Sequence, residues 1–170
     1  MMKVGAYNER RTVQACGLLL LNGPQKVGKI LSLLYLAGRI SLQEVGTTIS
    51  GGHLVNTRCG PQSLEPFMSA MGEPSHSFWD TYLARMGEYL HLKDDPGDDE
   101  LSDAEVGWLE SLRIMYQDTS DLMESMQALM EWEDPTPFKM TAISSTKLLR
   151  VLGFTEEEIR AVEALNLNCP

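Results

Sequence analysis

Apolar residues recur along this chain at helical spacing, and the pattern breaks where Gly, Pro or Asn gather. From Val27 the positions Ile30, Leu31, Leu34 and Gly38 follow at intervals of three and four, while Leu33, Leu36, Ala37 and Ile40 fill a second stripe. A helix apolar around most of its circumference belongs in the middle of a core. Ahead of it, a first helix is expected over residues 9 to 21, opened by Asn8 as N-cap and closed by Asn22-Gly23-Pro24, which supplies a positive-φ residue and then a breaker.

After Gly46 the period changes. Ile49 to Pro61 is short and glycine-rich, which suits a turn and a brief strand, and Gly87 to Leu92 alternates well enough to be its partner in a small ribbon. Between them the spacing predicts a helix over Gln62 to Met71, bent at Pro66, and a short one over Ser77 to Met86. Lys93 to Glu100 reads as a flexible polar turn, too short for a domain linker. Two capping boxes mark later helix starts: Ser102 with Glu105, flanked by Leu101 and Val106, and Thr155 with Glu158, flanked by Phe154 and Ile159. The first of these helices should reach about Tyr116. Further helices are expected over Ser120 to Met130 and Ser144 to Leu152, around a loop from Trp132 to Met140. The expected architecture is a mainly α, single-domain helical bundle around a central buried helix, with a small two- or three-stranded β element.

A length of 170 residues with 43% hydrophobic content suits one core and one domain over 1–170. The densest apolar run, Leu18 to Leu21, is far short of the roughly 20 residues a bilayer span needs, so no membrane contact is expected. Arg10 and Arg11 ahead of Val13 to Leu21 have the charge order of a signal peptide, but no small-residue cleavage site follows, and the segment reads as a first helix. Cys16, Cys59 and Cys169 are odd in number and far apart, which fits a reducing cytoplasm better than a disulfide framework. A net charge of -10 disfavours direct contact with nucleic acid. The charge is unevenly placed, because residues 1 to 58 carry seven Lys and Arg against Glu9 and Glu44 alone. The acidic remainder reads either as a solvated surface or as a docking face for a basic protein.

Candidate chemistry is sparse. Gly23 to Lys29 satisfies G-x-x-x-x-G-K, yet Ile30 stands where a phosphate loop needs a Ser or Thr hydroxyl for Mg²⁺. A divergent nucleotide-binding enzyme built on this segment is the remote alternative; an interhelical turn is the simpler reading. His53, His76 and His91 lack metal-ligand spacing, and Cys59 paired with His53 or His91 is a weak nucleophile candidate. The paired acids Asp94/Asp95 and Asp98/Asp99 suit solubility better than general acid catalysis. No catalytic residue, cofactor or metal is therefore expected. Met115, Met123, Met126, Met130 and Met140, with Trp108 and Trp132, supply soft side chains that either fill a core or form an adaptable binding surface.

Three passages in order resemble the Panacea (SocA-like) antitoxin domain of bacterial and phage toxin-antitoxin systems. Lys29-Ile-Leu-Ser-Leu-Leu-Tyr-Leu-Ala-Gly-Arg39 is similar to its K-L-x-x-L-L-Y-L-A-D-R helix. Ile49 to Pro61 is similar to its I-T-G-D-x-Y-V-x-M-x-x-G-P segment, and Leu101-Ser-x-x-Glu105 leads on to Leu129-Met-Glu-Trp132. The likeness spans about residues 10 to 165. This chain departs from the pattern at Gly38 and Gly52, where Asp is usual, and at Gln127, where the family's His-x-Leu-Pro-Glu-Trp stretch reads Gln127-Ala-Leu-Met-Glu-Trp132. The resemblance implies a helical, non-catalytic module that neutralises a protein toxin by direct binding, or delivers it to a protease or chaperone. The alternative within binding proteins is a phage or mobile-element factor that inhibits a host defence protein. Tyr35, Arg39, Arg58, Pro61 and Trp132 form the candidate partner-binding set, since Tyr, Trp and Arg dominate interface energetics.

Overall fold

The first helix, α1 (Glu9–Leu19), begins where the sequence puts it: Asn8 Oδ1 accepts the amide N–H of Arg11 at 3.0 Å. In the computed structural model, which describes residues 5–72, 77–118 and 120–167, a two-residue strand β1 (Gln25–Lys26) follows and leads directly into α2 (Val27–Val45). As its two apolar stripes require, α2 lies in the middle of the core, with Ile30, Leu33, Ala37 and Leu42 fully buried. It packs against α1, the strand β3 (Gly60–Ser63) and the helix α5 (Asp103–Met115).

The remaining elements correct the expected architecture. Among the described residues about half are helical and the strands form two three-stranded antiparallel sheets, a mixed α/β fold and not a mainly α bundle. β2 (Leu54–Thr57) does not pair with residues 87–92. It pairs with β3 across the Arg58-Cys59 turn, and on its other edge with β6 (Met140–Ala142). The alternation of Tyr89 to Leu92 does form a strand, β5, but its partners are β1 and β4 (Leu83–Met86). The helix expected over Ser77 to Met86 therefore stops early, as α4 (Phe78–Tyr82), and becomes β4. α3 (Leu64–Met71) starts two residues later than expected, which places Pro66 in the first turn, where its missing N–H interrupts no hydrogen bond. α6 (Leu122–Gln127), α7 (Ser145–Val151) and α8 (Glu156–Leu167) complete the fold.

Both capping boxes form, and the first has a second task. Ser102 N–H donates to Glu105 Oε2 at 2.8 Å, while Glu105 Oε1 receives the Arg11 guanidinium and, at 3.4 Å, the Ser41 hydroxyl. This nearly buried carboxylate therefore binds α1, α2 and α5 together. Removing one partner of such a buried pair typically destabilises a fold by about 3–5 kcal/mol.

The acidic stretch 93–100 is held in place, contrary to its polar composition. Pro96 is buried against Gly17, where a Cβ would stand 2.8 Å from Pro96 Cγ. Gln14 donates to Pro96 O at 3.1 Å and to Asp99 Oδ1 at 2.6 Å, and accepts the Glu100 N–H at 2.9 Å. The Gln14 amide, then the nearby Arg10 charge, hold the Asp99 carboxyl below its ordinary range; Asp134, Glu156 and Glu158 are also held low by their own hydrogen bonds. A carboxyl lowered in the folded state stabilises the fold above the ordinary carboxylate pKa, and that contribution is lost as the pH falls through the lowered value. Melting temperature should therefore fall on acidification below about pH 4. Asp99→Asn should make that fall shallower, and a series of melts across the acid range checks it.

Candidate partner-binding site

Tyr35 and Arg39 stand four residues apart on α2 and so share one face. Both reach the same group. Tyr35 Oη donates to Glu131 Oε1 at 3.0 Å, Arg39 Nε donates to Oε1 at 2.7 Å and Arg39 Nη2 to Oε2 at 3.3 Å. Glu131 is 0% exposed, so its charge is stabilised by these donors in place of water. Burial first, and Glu131's negative charge second, hold the Tyr35 phenol well above its ordinary value, which keeps it a donor. Glu131 escaped the sequence reading. The available signal was the Tyr35/Arg39 spacing itself, which presents two donors on one helix face and calls for an acid.

The residues flanking Glu131 clamp the β2–β3 turn. Trp132 Nε1–H donates to Thr57 O at 2.9 Å, Gln127 Nε2 to Arg58 O at 2.9 Å, and Asn56 Oδ1 accepts the Glu133 N–H at 3.1 Å. Gly60 is required here, because its φ is 128° and a Cβ would lie 2.5 Å from Met126 Cβ. Pro61 follows in β3, an edge strand, where a missing donor is tolerated. The candidate set is thus drawn together around one clamp, in three different environments. Tyr35 and Pro61 are buried, Arg39 and Trp132 are half-buried with their polar groups engaged, and Arg58 is exposed.

The methionines divide. Met126 is fully buried, Met140 is half-buried, and Met115, Met123 and Met130 are exposed, Met130 by 77%. The departures from the family pattern meet three different neighbours. Gly38 faces Thr48 and Ile49. Gly52, at φ 80°, leaves room for the Glu65 carboxylate, and Gln127 holds the turn carbonyl just described. Glu65 in turn accepts from the His53 backbone N–H at 2.9 Å and meets His53 Nδ1 at 2.5 Å.

Other candidate chemistry does not assemble. Gly23 to Lys29 runs from helix to helix through β1, whose one partner among the described residues, β5, is antiparallel; the Val27 N–H is taken by Glu88 O, and Lys29 Nζ by Gln25 Oε1 and Gln117 O. That is not the buried parallel strand that delivers a phosphate loop. Cys59 sits in the β2–β3 turn, whereas His53 is held by Glu65 and His91 lies in the other sheet; His76 and Cys169 fall outside the described residues. Among the described residues no His, Cys, Asp and Glu cluster could hold a metal, and no helix is long and apolar enough to cross a membrane. A cavity of about 10 Å³ beside Tyr35, Arg39 and Ser50 has room for little more than one water.

Two expectations follow from this geometry. Tyr35→Phe removes one of three donors to Glu131 and should lower the unfolding free energy by about 1 kcal/mol. Arg39→Met strands a buried carboxylate and should cost about 3 kcal/mol or more; urea unfolding of both variants gives the comparison. Burial pushes the Cys16 thiol up to about 12, so alkylation of the native protein should modify Cys59 and spare Cys16, read by peptide mass mapping. No family model, curated protein or solved structure matches the chain, and its function has to be argued from its own geometry.

Proposed function

We propose that this chain is a non-catalytic protein-binding module of the Panacea antitoxin kind, which neutralises a cognate protein toxin by direct binding or by delivering it to a protease. The observation that carries this reading is the character of its exposed apolar surface. Of the eleven large hydrophobic side chains exposed among the described residues, six are methionine: Met68, Met71, Met86, Met115, Met123 and Met130. Exposed apolar surface is unfavourable in a free monomer, and unbranched thioethers repack readily against a partner.

Convergence of the passages that carry the family resemblance supports the same reading. Lys29 to Arg39 forms the middle of α2, Ile49 to Pro61 contains the β2–β3 turn, and Leu129 to Trp132 supplies the acid and indole that join the two. Residues scattered over a hundred positions of sequence make one rigid platform. A preformed platform reduces the ordering entropy lost on binding.

Affinity capture from the source cell, followed by expression of the captured protein alone and with this chain, tests the reading. The expected result is growth arrest by the captured protein alone and relief on coexpression. A captured protein that is harmless by itself contradicts the antitoxin assignment.

A further inference from the structure

We infer that the side of α6 bearing Met123, together with Met130 in the turn that follows the helix, is the docking surface, and that its occupant is an amphipathic segment of the partner with Lys or Arg along its flank. This rests on the protein-binding reading and assigns that activity to a place. Leu122 and Met126 turn inward from α6, and Met126 is locked against Gly60. Met123 and Gln127, four residues apart, therefore share another side of the helix, and Met130 stands in the turn just beyond its end. Gln127 ties that side to the Arg58 carbonyl, and Met130 directly precedes the fully buried Glu131. The methionine backbones are thus anchored on both sides while the tips, 52% and 77% exposed, stay free to adapt.

Charge selects the occupant. From Ile114 to Phe138 the sequence has six acids and no Lys, Arg or His. Glu131 and Glu133 are neutralised by Arg39 and Lys147, Asp134 feels Arg58, and Asp118 lies near Lys29. Asp121 and Glu124, next to Met123, have no ion pair among the described residues. The apolar stripe is therefore bordered by the negative charge of Asp121 and Glu124, with the Arg58 backbone held by Gln127 at its far edge. The second methionine group contrasts with it: Met71 meets Arg85, and Met86 pairs across the sheet with Tyr89, which in turn pairs with Lys26. The border there is mixed, with Arg85 and Lys26 beside Glu88, whereas the one on α6 is anionic, so a basic amphipath is directed to α6.

The test uses the full chain with ¹³C-methyl-labelled methionine, titrated with a synthetic helical peptide having one Leu face and one Lys face. A Leu/Glu peptide of the same pattern is the control. The expected result is saturable shifts at Met123 and Met130, little change at Met68, Met71 and Met86, and affinity at least about tenfold lower in Asp121→Lys/Glu124→Lys. Asp121, the N-cap residue of α6, and Glu124, in its first turn, are both exposed, and an unchanged circular dichroism spectrum confirms that the variant folds. Shifts centred on Met71 and Met86, equal affinity for the Leu/Glu peptide, or undiminished affinity in the double variant would overturn the inference. If the Lys peptide docks as described but no toxin is captured, the surface stands and the antitoxin reading fails. If a captured toxin binds the double variant as tightly as the native chain, the antitoxin reading stands and the surface is wrong.

Discussion

A carboxylate with no access to water has to be neutralised where it stands, and Glu131 meets that condition with Tyr35 and Arg39 of the central helix. The consequences run outward along the chain in both directions. Trp132, one residue on, is placed to hold the Thr57 carbonyl, and Glu133 meets Asn56. Met130, one residue before, is turned out to solvent. Since Gln127 and Met126 already grip the β2–β3 turn, the segment 126–133 is fastened to α2 and to the second sheet at once. Such a pair is no large source of net stability, because desolvation opposes the attraction. Its value is specificity: alternative packings of this segment would strand a charge.

Glu105 does the same for α1, α2 and α5 through Arg11 and Ser41. Together the two acids explain the uneven charge of the sequence. The excess of Arg in the first 58 residues is not a free basic surface, because Arg10, Arg11 and Arg39 each meet an acid from the second half, namely Asp99, Glu105 and Glu131. Among the described residues Asp121 and Glu124 have no ion pair, and they stand beside the exposed Met123 on α6.

How far the sequence foretold this fold depended on the range of the signal. Asn8, the two capping boxes and the double apolar stripe of α2 are local patterns with local causes, and all were legible. The strands were legible only in part: β2 and β5 fall in the segments read as strands, but β1, β3, β4 and β6 were missed, because among the described residues no strand exceeds four residues and alternation over so short a run is lost beside helical spacing. β6 is three residues and β1 two, and each exists only because a distant strand offers it a partner. The same limit explains the mistaken pairing of residues 87–92, since Tyr89 to Leu92 announces a strand without saying which edge it joins. In the site, Tyr35, Arg39 and Trp132 were singled out by residue type, but Glu131, the partner that Tyr35 and Arg39 share 92 positions beyond Arg39, was not. Pro61 and Tyr35 drew notice as anchors because sequence cannot distinguish an aromatic or a proline at a surface from one inside.

The arrangement of α2, the β2–β3 turn and residues 126–133 thus depends on one buried acid. Amide and indole hydrogen exchange in Glu131→Gln, compared with the native chain, tests this most directly. Faster exchange at the Trp132 indole N–H and along β2, with α1 unchanged, is the expected result. Indole exchange as slow as in the native chain would contradict the claim that the buried carboxylate holds the platform together.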